Sequence, residues 1–438
     1  MRQQEKLFRK LPRMRIVFST FGTFGDINPL IALSLELKRR GHAPVISGPA
    51  MFRGKIEPLG IEFADVRPDQ DPTDKRLVEM IYDIKKGTER GLREFLFPVI
   101  RASYDDLLAA VQAKGGADLL VTGELAYAGP IVAEKTGIPW ISYVLAPLSF
   151  FSGYDPPVLA PFPTLAKVQS LVPGVGRMIP YFARLVTRHW PEPIYALRKD
   201  LGLPRGKDPL FDAKHSELLV LALFSRVLGD PQPDWPRNTL VTGFPFYDGD
   251  AGNTSLPPPL EAFLAGGPPP LVFTLGSAAV LAAGDFYEVS AATAELLGQR
   301  AVLLTGSDPA NLPKRALSKD ICIASYAPYS KIFPRAAAII HQGGVGTTAQ
   351  ALKAGRPMLV MPYSHDQPDN ARRVRHLGVA KVIRRKDYRP EAAAHKIKGL
   401  LEDAAYTERA AEVARVIAEE DGVCTACDAL EAAARNRV

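Results

Sequence analysis

The chain has 438 residues, of which 47% are hydrophobic and 23% charged. That is too long for one ordinary domain and rich enough in apolar side chains for two or three packed cores. A net charge of +7 permits anionic partners, yet Arg372, Arg373, Arg375, Arg384, Arg385 and Lys386 fit solvated faces with no interleaved aromatics, so nucleic acid is not expected as a partner. No apolar run reaches bilayer length, no signal-peptide pattern opens the chain, and Cys322, Cys424 and Cys427 make neither a disulfide framework nor a good zinc site. A cytoplasmic protein is expected, its cysteines packing helices.

Residues 1–13 form a basic extension carrying Leu7, Phe8 and Leu11. It reads as a frayed tail or as a segment that touches an anionic membrane surface. A first unit is expected over 14–247. Met14–Phe18 is a short buried strand, followed by the glycine loop Gly22-Thr-Phe-Gly-Asp26 and by Asn28-Pro29, which read as the N-cap and first residue of a helix bearing Leu30, Leu33 and Leu37. Strands at 43–47, 61–66, 118–122 and 140–144 alternate with helical segments, which predicts a parallel, doubly wound sheet. Asp26, at a strand's carboxyl end, can face a cleft as a base or can hydrogen-bond the glycine turn. Glu124 follows the next central strand and reads as a carboxylate beside Asp26 or as an exposed loop residue. From Leu145 to Trp190 the chain is rich in aromatics and prolines, among them Phe150, Phe151, Tyr154 and Pro163. These line a cleft for a hydrophobic molecule or pack between helices. His189 and His215 lack acidic or metal-ligand neighbours and read as structural.

Residues 248–270, crowded with Gly, Pro, Asp and Ser, predict a linker. A second α/β unit is expected over 271–415, with strands from Leu271, Ala301, Ile321, Ala336 and Met358. Helices follow from Arg389, and a last helix over 416–438 is expected to cross to the first unit. The informative stretch is His341-Gln342-Gly343-Gly344-Val345-Gly346-Thr347-Thr348: a buried strand, a glycine turn, and a helix from Thr347 whose first turn offers free N–H groups to an anion. Gly276-Ser277 ends a neighbouring strand and adds donors. Tyr326 offers an aromatic face and Ala327 a backbone edge. Asp366-Gln367, about twenty residues past the turn, supply a carboxylate and an amide suited to sugar hydroxyls. His341 reads as a ligand contact or as a hydrogen-bonded strand end.

These residues resemble a known family. His341-x-Gly-Gly-x-Gly-Thr-Thr with downstream Asp366-Gln367 is similar to the donor signature of nucleotide-sugar-dependent glycosyltransferases of the GT-B fold, and Gly22-Thr-Phe-Gly-Asp26-Ile-Asn-Pro29 to the opening of their bacterial and sterol-type members. Within that family, Thr242-Gly-Phe-Pro-Phe-Tyr-Asp-Gly249 and His365-Asp-Gln-Pro-Asp-Asn370 are most similar to the rhamnosyltransferases of rhamnolipid synthesis. The resemblance, over about residues 14–420, implies two Rossmann-like domains facing across a cleft. It implies an inverting, metal-independent hexosyltransferase without cofactor, with Asp26 as general base and Glu124 beside it. Gly276, Ser277, Tyr326, Ala327, His341, Gly343, Gly344, Gly346, Thr347, Asp366 and Gln367 would bind the nucleoside diphosphate sugar. Phe24, Phe150, Phe151 and Tyr154 would face a lipid hydroxy acid, a sterol or a polyketide-like aglycone. Tyr329 and Ala349 depart from the residues of relatives that favour uridine diphosphate, so thymidine diphosphate is a serious alternative. A nucleotide-sugar epimerase or a non-catalytic helper on this fold are the rival readings.

Overall fold

The computed structural model describes residues 12–69, 74–162, 174–249 and 255–435. All but the last two residues of the basic extension lie outside them, as does Pro163. Two all-parallel sheets organise the chain. The first contains β1 (Arg15–Ser19), β2 (Ala43–Gly48), β3 (Glu62–Asp65), β4 (Leu119–Gly123), β5 (Trp140–Val144), β6 (Val220–Ala222) and β7 (Thr239–Val241), in the order β3-β2-β1-β4-β5-β6-β7. The second contains β8 (Leu271–Thr274), β9 (Ala301–Leu304), β10 (Ile321–Ala324), β11 (Ala338–His341), β12 (Met358–Val360) and β13 (Ala380–Val382), in the order β10-β9-β8-β11-β12-β13. Central strands such as RIVFS and AVLL are buried along their whole length because helices cover both faces.

Both orders reverse direction once, between β1 and β4 and between β8 and β11. At such a point the loops leave in opposite directions and open a crevice beyond the carboxyl ends of the strands. The segments singled out by sequence occupy these positions: the Asp26 loop follows β1, Glu124 follows β4, Gly276 follows β8 and the glycine turn follows β11.

Three boundaries differ from expectation. The first helix spans Phe24–Arg39, capped by Thr23 instead of Asn28, because Thr23-x-x-Asp26 closes a reciprocal capping box that outweighs Pro29 inside the helix. The expected linker contains a helix, Pro258–Ala265, whose Leu260 and Leu264 are buried in the second core. The crossing helix starts at Gly422, running to Arg435. A Cβ at Gly422 would overlap the backbone of Gly243 and Phe244, so the crossing point demands glycine. Ala426, Cys427 and Leu430 then join the first-domain core beside Ile27 and Leu30, while Arg40 meets Asp428 and Glu431. No helix among the described residues is long and apolar enough to cross a membrane.

Leu430 is fully buried in that shared core. Leu430→Ala is expected to cost about 2–5 kcal/mol of stability, read as a lower denaturation midpoint in urea. A change under about 0.5 kcal/mol, the size usual for surface sites, would show that the crossing helix does not dock as described.

Candidate active site

On the first side of the cleft, Asp26 Oδ2 accepts from Thr23 N at 2.7 Å and from Thr23 Oγ1 at 3.2 Å. A Cβ on Gly22, whose φ is +137°, would overlap this carboxylate, so the turn closes around Asp26 only with glycine there. Burial pushes the Asp26 carboxyl up to about 6 against the pull of the Thr23 hydrogen bonds, and the Glu124 charge adds to the rise. Capping and facing the cleft, the two readings open to sequence, are therefore compatible in one side chain.

Glu124 is not an exposed loop residue. Its Oε1 accepts from Ser149 Oγ at 2.7 Å and its Oε2 from the buried Lys214 at 3.0 Å. Burial alone would raise its pKa, but Lys214 and Ser149 outweigh that and hold it below the ordinary carboxylate range. With both oxygens taken, it acts on Asp26 through its field.

On the second side, His341 is fully buried and corrects the expected ligand contact. Its Nδ1 accepts from Gly343 N at 3.0 Å, its Nε2 lies 3.3 Å from Met358 Sδ, and burial drives its pKa down to about 3, so the ring is neutral and enclosed. It shapes the turn. Gly343, at φ +89°, leaves no room for a Cβ against Val360 and the Gln367 carbonyl. Gly344 caps the helix Val345–Lys353, which starts earlier than expected and puts Gly346 and Thr347 in its first turn. A Cβ on Gly346 would meet nothing within 4 Å, so this turn faces open space. Gly276 abuts the same turn: a Cβ there would overlap the Gln342 amide and crowd Thr347 Oγ1, and Ser277 beside it is exposed. Gln342 Oε1 and Thr348 Oγ1 are buried without a partner among the described residues. Gln342 was not anticipated from sequence, although it sits inside the motif.

Asp366 Oδ2 accepts from Asn370 Nδ2 at 2.7 Å. Burial pushes its carboxyl up to about 7, Asn370 opposes, and the charges of Asp26 and Glu124 add to the rise. Residues far apart in the chain thus share one low-dielectric cleft. Gln367 Oε1 accepts from Tyr363 N at 2.8 Å and Ser364 N at 3.2 Å, so its oxygen braces the loop and is not free for a sugar. Tyr326 keeps an exposed ring while its hydroxyl donates to Asp248 O, and Ala327 is buried, so the backbone edge expected there is covered.

The aromatic residues divide. Phe150 stacks on Trp235 at 4.1 Å and contacts the half-buried His215, whose pKa is lowered to about 3 by desolvation; it is core packing, not a cleft wall. Phe151 meets Phe211 edge-on. Tyr154 is exposed beneath Arg177, and Phe24 lies against Phe52 with the Lys55 ammonium above it. A small first-domain pocket that sequence did not reveal is lined by Thr20, Phe21, Leu96, Leu125 and Tyr127 near the ends of β1 and β4. Arg372 and Arg373 are not solvated: both join Asp369 and Asp155 across the domains, with Arg373 Nε 2.6 Å from Asp369 and Nη1 2.6 Å from Asp155. Periodicity placed them on a helix without showing that a second domain covers it.

Two parallel sheets, a half-buried carboxylate at the first reversal and an amide-rich helix start at the second define a two-domain group-transfer enzyme. Residues 16–148 match the glycosyltransferase family 28 N-terminal domain, and 301–425 the C-terminal domain of erythromycin biosynthesis protein CIII-like proteins. The chain is 31% identical to O-mycaminosyltylonolide 6-deoxyallosyltransferase of Streptomyces fradiae, over 97% of this chain and 98% of that one. It is 29% identical to the vancomycin aglycone glucosyltransferase of Amycolatopsis orientalis, over 84% and 85%. The spinosyn rhamnosyltransferase SpnG complexed with thymidine diphosphate superposes with a TM-score of 0.65 at 18% identity, over 95% of this chain and 100% of that one. This chain belongs to the glycosyltransferases of the GT-B fold.

Asp26 and Asp366 are held above their ordinary values, so their contribution to folding is full below about pH 4 and lost as pH rises through about 6 and 7. Asp26→Asn and Asp366→Asn are therefore expected to melt above the wild type at pH 8, with the gain shrinking towards pH 4. Equal gains at both pH values would contradict the burial argument.

Proposed function

We propose that this glycosyltransferase moves a sugar from a nucleoside diphosphate to a hydroxyl of a natural-product aglycone, by a single displacement with inversion at the anomeric carbon. The observation that carries the reading is that Asp26 and Asp366 follow strands of two different sheets, β1 and β12, whose domains are tied together by the Asp155–Arg373 ion pair. A base and a sugar-gripping carboxylate on two walls of one cleft suit transfer between two bound molecules.

In this reading Asp26 takes the acceptor proton as that oxygen bonds to the anomeric carbon, and the bond to the diphosphate oxygen breaks on the opposite face. Charge on the departing diphosphate is received by the first-turn amides of the Val345–Lys353 helix, with its dipole, and by Gly276-Ser277. Asp366 orients the sugar hydroxyls with the Gln367 amide nitrogen. Asp26, raised to about 6, is a better base at neutral pH than an ordinary aspartate, and the Glu124 charge contributes to that.

Thymidine diphosphate is the proposed donor nucleotide. Ala349 offers no polar group to a ribose hydroxyl, and the Tyr329 hydroxyl is occupied by Thr274 Oγ1 at 2.8 Å. The bound nucleotide of the spinosyn enzyme and the aglycone acceptor of the vancomycin enzyme support the donor and acceptor classes.

Thermal shifts with thymidine and uridine diphosphates identify the nucleotide, and an aglycone panel with lipid hydroxy acids and sterols as competitors identifies the acceptor. Asp26→Asn is expected to lower kcat by about 10²–10⁴ while leaving donor binding intact. The wild-type kcat/KM is expected to rise with pH around an apparent pKa near 6. A variant that keeps more than a tenth of wild-type kcat would remove Asp26 from the role of base.

A further inference from the structure

Outside this mechanism, the segment 74–87 of the first domain reaches the second. Asp74 caps a short helix, Lys75–Ile81, by accepting from Arg76 N and Leu77 N. This helix packs against the turn Ala279–Ala282 of the second domain. Tyr82, directly after it, packs against the second-domain core, edge-on to Tyr363 at 6.2 Å and to His365 at 5.7 Å. Tyr363 is itself anchored by the Arg385 guanidinium over its ring.

His365 is one of three non-glycine residues with positive φ among the described residues, at +56°. A residue with a Cβ resists that conformation unless its surroundings impose it. Here the Ile81 backbone carbonyl lies close enough to the His365 ring to raise its pKa, while burial outweighs that and lowers it to about 4, so the ring is neutral. The chain then doubles back so tightly that a Cβ on Gly87 would overlap the Ile81 carbonyl. Both contacts to His365 therefore come from the other domain, and the next residue is Asp366.

We propose that Tyr82 is a positioning residue for the donor sugar: its ring, with the Ile81 carbonyl, holds His365 in its left-handed conformation and so aims Asp366 at the sugar. The inference rests on the donor-side reading of Asp366 given above. Its consequence is that the sugar subsite is assembled by both domains, whereas the diphosphate subsite at Gly344–Thr347 belongs to the second alone. Burial, with the charges of Asp366 and Asp26 adding to it, raises the Tyr82 phenol above its ordinary value.

The test compares affinity for thymidine diphosphate with affinity for its glucose and rhamnose conjugates by calorimetry, in full-length wild type, Tyr82→Ala and Tyr82→Phe. Tyr82→Ala is expected to weaken sugar-nucleotide binding about tenfold, as loss of two aromatic contacts would, with thymidine diphosphate affinity within about twofold and Tyr82→Phe close to wild type. His365→Ala is expected to reproduce that split, and the double variant to be no worse than either single one, since both act through one contact. Additive losses in the double variant, equal loss for nucleotide and sugar nucleotide, or no loss in Tyr82→Ala would each overturn the proposal. Absence of thymidine diphosphate binding in the wild type would instead count against the donor assignment itself.

Discussion

Asp369 is fully enclosed where the two domains meet, and the arrangement of the cleft depends on how its charge is satisfied. It accepts from Val158 N at 3.0 Å and pairs with Arg372 and Arg373, which in turn reach Asp155 on the first domain. Desolvating such charges is costly, and the cost is recovered only while every partner is in place. Separating the domains would strand Asp369 and Arg373. Because Asp369 lies in the first turn of the helix that Asp366 precedes, the same ion cluster that joins the domains also anchors the helix start at Asp366.

The cleft treats its three carboxylates differently. Asp26 and Asp366 are pushed up by burial, whereas Glu124 is held below its ordinary value by Lys214 and Ser149. One group held ionised beside two held near neutrality is a pattern suited to proton transfer at neutral pH. Local structure and chemistry overlap here as well. The Asp26 oxygen that closes the first helix's capping box belongs to the carboxyl assigned the base role, so the helix start fixes where the base stands.

Much of this was legible in the chain. Continuous apolar runs between glycine turns gave strand positions to within a residue or two, and the turn after β11 was recognisable from glycines that leave backbone amides uncovered. The errors each have a physical origin. His341 lies in a motif that invites a ligand contact, yet its ring is sealed between Gly343 N and Met358. Phe150 lies in an aromatic stretch that invites a cleft, yet it stacks on Trp235, remote in sequence. Arg373 resembled a surface charge because the residues covering it come from the other domain. The last two errors concern which distant surface a side chain meets, and local spacing carries no record of that.

The sequence by itself determined the two parallel sheets, the family and the loops that flank both crevices, since these follow from short-range periodicity, from turn chemistry and from motifs a few residues long. Only the tertiary structure decided which groups share the cleft. Lys214 against Glu124, Tyr82 against His365 and Asp155 against Arg373 are contacts across 90, 283 and 218 residues of chain. Contacts at such separations are selected by the packing and desolvation of the folded whole, so they exist as physical facts only once each domain has folded and, for the last two, once the domains have met.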